Sequence, residues 1–452
     1  MAGKSSRLAS GLALSVAAAL LAAPGAAAAP PQDKGQAKVP LERQVLPAGD
    51  GFASFNGGTT GGAGAGQDRV YDVETRFQLQ AALAEAGQEP KIIRVHGEVL
   101  GNADAAGNPL TCEDYAEGTG YTLEGYLAAY DPAVYGWDRE PEGELEDARL
   151  RAAARQKQTM LTSVPSNTTI VGATPQATLR GLSLQVNGSS NVIIRNLNHA
   201  AVSDCFPQWD PTDGAAGNWN SEYDMVQIIN RAENVWVDHN HYTDAPGFDD
   251  LAPEYFGCPF RQHDGSVDIT NGSDLVTVSY NRFEDRDKLM LIGSTDSTNR
   301  GDVGRLRVTM HHNEFVNIGQ RAPRVRFGQV DVYNNHFVIA ENARVPFVYS
   351  LGAGFESHLW AEANAFTVPA GFDPARIIGH YKGTRITTTA NTVNGHKADL
   401  RSLYNAAAPA DKQLTADTSW QPTARTKVSP AQAIPSLLKK NTGPIFTSSS
   451  SR

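Results

Sequence analysis

The chain has 452 residues, a formal net charge of -10 at pH 7 and 19% charged residues. That acidity offers no basic face to a nucleic acid or an anionic membrane, so neither is expected as a partner. Attraction for a polyanion would have to come from local cations. Three cysteines are too few for a disulfide framework, and no Cys/His spacing resembles a zinc site.

Lys4 and Arg7, an apolar run from Leu8 to Ala23 and small residues at Ala26 to Ala29 read as an export signal over residues 1–29. A membrane anchor is the alternative, but the run is short and alanine-rich, with no second stretch long enough to span a bilayer. A secreted, extracellular chain starting near Pro30 is expected. Export permits one disulfide, and Cys205 with Cys258 is the expected pair, leaving Cys112 single. Residues 30–66 carry few apolar side chains and end in a Gly/Thr-rich run, which predicts a flexible lead. Thr75 is placed to cap a helix through Glu85, with Phe77, Leu79, Ala82 and Leu83 as its apolar stripe. Lys91 to Val95 reads as a strand. Glu144 to Thr159 reads as a helix whose Arg149, Arg151, Arg155 and Lys157 form a solvated face.

From Asn167 onward a phrase recurs: apolar, any, apolar, two polar residues, Asn, any, aromatic. It runs Val235 to Tyr242 around Asn240, Val276 to Phe283 around Asn281, Val308 to Phe315 around Asn313, and Val330 to Phe337 around Asn335. Weaker copies surround Asn364 and Asn391, and an earlier cousin surrounds Asn196. Asn313 and Asn335 are 22 positions apart. At about 3.3 Å per residue that is a path of roughly 70 Å, enough for one turn of a parallel β-helix. The Asn suggests a ladder of stacked amides, and the aromatic an interior stack. A β-sandwich fits an irregularly lengthened repeat poorly. Longer intervals become loops between coils, where sites are usually built. Residues 67–400 are expected to form this body. Residues 401–452 are expected to form a tail packed along it, with a short helix near Pro430 to Lys439.

Three segments carry chemistry. In Arg261 to Asp268, Asp264 and Asp268 lie four positions apart and share a strand face, while Asp224 opens the preceding coil. Stacked, the three carboxylates would need a cation, and hard oxygen donors suit Ca²⁺; the alternative is that they cap turns. Lys288 enters a very apolar strand, at the coil edge or facing a ligand. The run Arg321-Ala-Pro-Arg-Val-Arg-Phe-Gly328 concentrates guanidinium groups that need anions, either from the protein or from a carboxylate ligand. His311 and His312 sit beside Asn313 and read as ladder or surface residues. His263 reads as orienting the acidic site.

The runs Trp209 to Gly214, Asn218 to Asp224, Val235 to His239, His263 to Asp268, Asp287-Lys288 and Arg321 to Gly328 together resemble the polysaccharide lyase family that contains the pectate lyases. The resemblance extends from about Gly51 to Phe366. It implies an all-β chain: a single-stranded, right-handed parallel β-helix with an N-terminal capping helix and long loops on one side. It also implies a monomer that cleaves polygalacturonate by Ca²⁺-dependent β-elimination to 4,5-unsaturated products. The family's calcium aspartates fall on Asp224, Asp264 and Asp268. Its substrate-binding lysine and arginine fall on Lys288 and Arg326, and its proposed Brønsted base on Arg321. Arg324 receives no task. Family members often carry His where this chain has Arg286 and Asp331.

Three rivals remain. A β-helical glycoside hydrolase would need two carboxyl groups flanking a glycosidic bond, and would leave Lys288 and the arginines unexplained. A pectin lyase acting on methylated polymer would not need the three Asp residues. A non-catalytic β-helical polysaccharide-binding protein would not need Asp, Lys and Arg to converge.

Overall fold

The computed structural model describes residues 39–446; the segment expected to be an export signal and the extreme C-terminus lie outside this range. Three sheets run the length of the main unit, two of ten strands and one of eight, parallel except where His396–Lys397 pairs antiparallel with Thr392–Val393. The chain visits them in rotation. Asp274–Ser279 lies in the first sheet, Arg282–Lys288 in the second and Leu291–Ile292 in the third, and Val308–His311 re-enters the first. This is a parallel β-helix, with each strand paired to its counterpart one coil away, as in Val276↔Val308↔Val330.

The repeated asparagine sets that register. Asn240, Asn281, Asn313, Asn335, Asn364 and Asn391 form one buried amide column, each Nδ2 donating to the next Oδ1 at 3.0–3.1 Å. Each Oδ1 also accepts the backbone N–H of the preceding asparagine, for example Asn281 to Asn313 at 3.0 Å. Residues just before the column, such as His239, Tyr280 and His312, hold φ near +50° and turn the corner. Asn196 is not a rung. It occupies this corner position with φ 60°, and Leu197 follows in the rung position, giving its N–H to Asn240 Oδ1 at 3.1 Å. Two residues beyond the column, Tyr242, Phe283, Phe315, Phe337 and Phe366 stack inside the coil with centroids 4.5–5.3 Å apart.

The helix Arg76–Ala86 has a capping box between Thr75 and Gln78. It packs Leu79, Ala82 and Leu83 over the first coil beside Val73, Ile93 and Val95; Phe77 turns outward. The expected flexible lead is not what residues 40–66 form. They lie along the outer face of the first sheet, held by backbone N–H groups and by burial of Leu46 and Ala53 against Ile193 and Trp236 and of Ala65 against Ile92 and Val171. Phe52 and Ala53 donate to Thr309 and Thr277 Oγ1 at 3.1 Å, and Gly62 to Thr169 Oγ1 at 2.9 Å. Gly62 is required there, because a Cβ would stand 1.8 Å from Lys91 O. Composition hides this anchoring, since its partners are threonines on other coils.

The tail behaves similarly. Arg425 bridges Asp331 and Glu362, and Ile434–Leu438 is helical with Ile434 and Leu438 buried against Ala365. Asp331 therefore has a structural partner in the tail.

The expected Cys205–Cys258 bridge is incorrect: Cys205 bonds Cys112, and Cys258 is a buried free thiol. Cys112 opens a short helix, Cys112–Ala116, in a lateral cluster with Leu123–Tyr130, Glu144–Met160 and the aromatic residues Tyr126, Trp209, Trp219 and Phe260. In that cluster Arg149 is not solvated. It is 6% exposed, pairs with Glu146 at 2.6 Å and donates to Phe206 O at 2.7 Å. No described helix is long and apolar enough to cross a membrane.

Asn313 makes five buried hydrogen bonds at 2.9–3.1 Å: Nδ2 donates to Val278 O, His311 O and Asn335 Oδ1, and Oδ1 accepts from Asn281 N and Nδ2. Asn313→Ala orphans several buried groups and is expected to cost about 3 kcal/mol, read as a lowered urea midpoint at unchanged m-value.

Candidate active site

The site occupies one corner of the helix, where the chain passes from the second sheet to the third. Four consecutive crossings supply it, the first two long and the next two short. Residues 201–225 and 244–266 are insertions that join the lateral cluster, and they return to the third sheet at Asp224 and Asp264. Lys288 ends the strand Arg282–Lys288, and Arg321 lies between Glu314–Gln320 and Arg324–Val325. Register Val226↔Val267 and Ile269↔Ile292 stacks these returns in successive coils.

Asp224 and Asp268 converge on Gly265. A Cβ at that glycine would stand 2.3 Å from Asp268 Oδ1 and 2.7 Å from Asp224 Oδ1, so only glycine lets both carboxylates approach. Gly265 N donates to Asp224 Oδ1 at 2.8 Å, and Leu291 N to Asp268 Oδ1 at 2.9 Å. Both acids are held above the usual carboxylate range, first by burial and then by the charges of neighbouring aspartates; for Asp268 the neighbour is Asp264. Asp264 is more exposed and turns its Oδ1 toward Lys288 Nζ at 3.3 Å and Arg321 Nη1 at 3.5 Å. The three predicted aspartates thus lie at one place, two facing each other and the third facing the cations. Among the described residues no group of three or more His, Cys, Asp or Glu side chains is placed, as it stands, to hold a metal ion.

Arg321 has φ 61°, and its carbonyl accepts from Met290 N at 2.7 Å. Burial acts to lower its pKa, but Asp264, Asp268, Tyr349 and Asp224 together raise it above the ordinary value. Arg321 is thus a counter-charge to these aspartates. Arg326 is tethered: Nε donates to Asp296 at 2.8 Å and Nη1 to Gly293 O at 2.8 Å, while Lys382 shares Asp296 at 2.6 Å. Arg324 lies over the Tyr381 ring at 4.0 Å, and burial, with Arg326 next, pulls its pKa down. Sequence reasoning missed Asp296, Lys382 and Tyr381, because they come from other coils and no local motif marks them.

The histidines stay out of the chemistry. His263 Nδ1 faces Asp249 Oδ1 at 2.8 Å rather than the trio. His312 stacks on Tyr280 at 4.9 Å, its pKa lowered to about 3 by burial and by His311. His311 stacks on Tyr333 at 5.1 Å.

Residues 144–437 match the pectate lyase family. The chain is 40% identical over 385 residues to a pectate lyase of Bacillus subtilis, covering 84% of this chain and 88% of that one. It is 35% identical over 375 residues to pectate lyase E of Dickeya chrysanthemi, covering 80% and 81%. A thermostable pectate lyase superposes with a TM-score of 0.86 at 39% identity, covering 90% of this chain and 99% of the other. A pectate lyase bound to hexasaccharide superposes with a TM-score of 0.84 at 38% identity, covering 89% and 98%. The chain belongs to the pectate lyase family, and is a polysaccharide lyase.

Because the pKa of Asp268 is raised on folding, the stability tied to it is complete below the ordinary carboxylate range. It is lost as pH rises through the raised value. In EDTA, Asp268→Asn keeps the acceptor for Leu291 N and removes the repulsion. It is expected to raise stability at pH 8 by on the order of 1 kcal/mol, with no gain near pH 4, followed as Tm against pH.

Proposed function

We propose that the chain cleaves α-1,4-linked polygalacturonate by Ca²⁺-dependent β-elimination, giving 4,5-unsaturated oligogalacturonides. The observation that carries this is the pair of buried carboxylates, Asp224 and Asp268, facing each other across Gly265 beside a lysine and an arginine. Like charges buried together cost several kcal/mol unless a cation joins them. The donors available are all carboxylate oxygens, the chemistry that suits Ca²⁺, and Asp264 can complete the set by turning from Lys288. Calcium held there would neutralise the uronate carboxylate next to C5 and stabilise negative charge developing on it.

The protein's own groups divide the remaining work. Lys288 and Arg326 provide donors for substrate carboxylates. Arg321, at the turn beside Asp264, is the group assigned to take the C5 proton. That role requires its charge to be disfavoured, and a cation among the aspartates does this by cancelling the anions that now raise its pKa. A base working this way gives activity sustained above neutrality; a steady fall with rising pH would count against it. A hydrolase or a methyl-pectin lyase has no use for the paired aspartates together with the cations.

The direct assay is ultraviolet absorbance near 235 nm, where each cut adds a conjugated chromophore, run on polygalacturonate with and without EDTA. The reading expects absorbance growth that EDTA stops and added Ca²⁺ restores. Arg321→Lys is expected to lower kcat by roughly 100-fold or more with substrate binding retained; full activity would remove Arg321 from the chemistry.

The chain is further proposed to be exported, from the basic and apolar residues of its first 29 positions and from the Cys112–Cys205 bridge, which suits an oxidising compartment. Intact mass of protein from culture medium should show a new N-terminus near Pro30; an uncleaved chain retained in cells would refute export.

A further inference from the structure

Arg286 is the least expected charge in the molecule. It is 1% exposed, yet it belongs to the same strand, Arg282–Lys288, that delivers Lys288 to the site. Its guanidinium is shared among three chain segments. Nη1 pairs with Asp244 Oδ1 and lies 3.1 Å from Met225 Sδ, next to Asp224. Nη2 donates to Asp264 O at 2.7 Å and to Gly265 O at 3.2 Å. Asp244 is itself buried, 2% exposed, just past the strand His241–Thr243. The pair is therefore closed off from solvent, and Nη2 is spent on the backbone of the acidic turn, while Nε is buried without a partner.

That backbone is the hinge of the whole cluster. Gly265 N donates to Asp224 Oδ1, and Gly265 O accepts from Met225 N at 3.2 Å as well as from Arg286. Rotation of the Asp264–Gly265 peptides would separate Asp224 from Asp268 and swing the Asp264 carboxylate. One strand thus grips Asp264 twice, Lys288 on its carboxylate and Arg286 on its carbonyl. A planar fork with several fixed donors can hold Asp244 and two carbonyls at once; a lysine ammonium is a compact charge on a flexible stem and cannot reproduce that geometry.

We infer that Arg286, locked by Asp244, is a positioning residue that sets the Asp264–Gly265 turn so that Asp224, Asp264 and Asp268 present their carboxylates to one cation. The inference rests on the assignment of those aspartates as calcium ligands. It makes Arg286 a residue that acts through the ligands without touching substrate, and so predicts a loss of cation affinity larger than any loss of substrate affinity.

The test is lyase activity on polygalacturonate titrated with Ca²⁺ in buffered chelator, alongside Tm, for the wild type and Arg286→Lys. The expected result is a calcium half-saturation raised about tenfold or more. KM for polygalacturonate at saturating Ca²⁺ should stay within about threefold, since Lys288 and Arg326 remain in place. A folded Arg286→Lys protein with the wild-type half-saturation and kcat would overturn the inference. Should the buried Asp244 prevent that variant from folding, the double variant Arg286→Met with Asp244→Leu removes both charges together and is expected to show the same raised half-saturation. A merely structural pair would lower Tm and leave half-saturation unchanged, which also overturns the inference. A wild type with no calcium dependence would sink the calcium assignment instead; the kcat of Arg286→Lys would then decide positioning alone, an unchanged value refuting it.

Discussion

The buried amide column is the constraint on which everything else rests. Each asparagine ties its own coil to the next through two bonds from one side chain, so the coils cannot slip relative to one another without orphaning a row of buried donors. Fixed register is what turns distant positions in sequence into neighbours. Asp224, Asp264, Lys288 and Arg321 span almost a hundred positions, yet each lies at the same corner because each precedes the third sheet in its own coil. The site is in effect a vertical column beside the structural one. A corner free of the ladder can carry insertions of any length, and there the lateral cluster grows.

Much of this was legible from sequence because the repeat writes the register directly. The spacing of Asn313 and Asn335 gave a coil length, the alternation gave strands, and the aromatic two residues later gave the interior stack. What failed to show were contacts whose partners lie on other coils and carry no periodic mark. Asn196 looked like a rung because an asparagine stood near the right place, but the corner preceding the rung also favours asparagine, which tolerates positive φ. The glycine- and threonine-rich lead looked unanchored because its partners are outward threonines on distant strands. Cys112 lies outside the repeat, so nothing in the spacing placed it beside Cys205.

The site was legible to a similar depth. Asp224, Asp264, Asp268, Lys288 and Arg321, singled out by residue type and order, lie near one another. Orientation was not readable, and it changes the chemistry. The arginine run was expected to need anions, and each arginine satisfies that need differently: Arg321 on Asp264, Arg326 on Asp296, and Arg324 on the face of Tyr381. Only Arg321 depends on the same carboxylates that a cation would claim.

That sharing is the physical core of the mechanism proposed. Two states of charge are available to one cluster. Without a cation, Lys288 and Arg321 neutralise the aspartates, and Arg321 is a firmly charged ion-pair partner. A divalent cation among the three carboxylates would leave them with one net negative charge, so most of that compensation would no longer be needed, and the cluster counted with Lys288 and Arg321 would turn net positive. Their donors are then free for an anionic polymer, and the arginine's proton is held less tightly. An acidic protein could in this way recruit an acidic substrate: the global charge would stay negative, and the attraction would arise at the corner where a cation had claimed the three carboxylates. Under the proposed mechanism, substrate binding and readiness of the base would not be independent properties, since both would be released by the one change in the charge of the aspartate cluster.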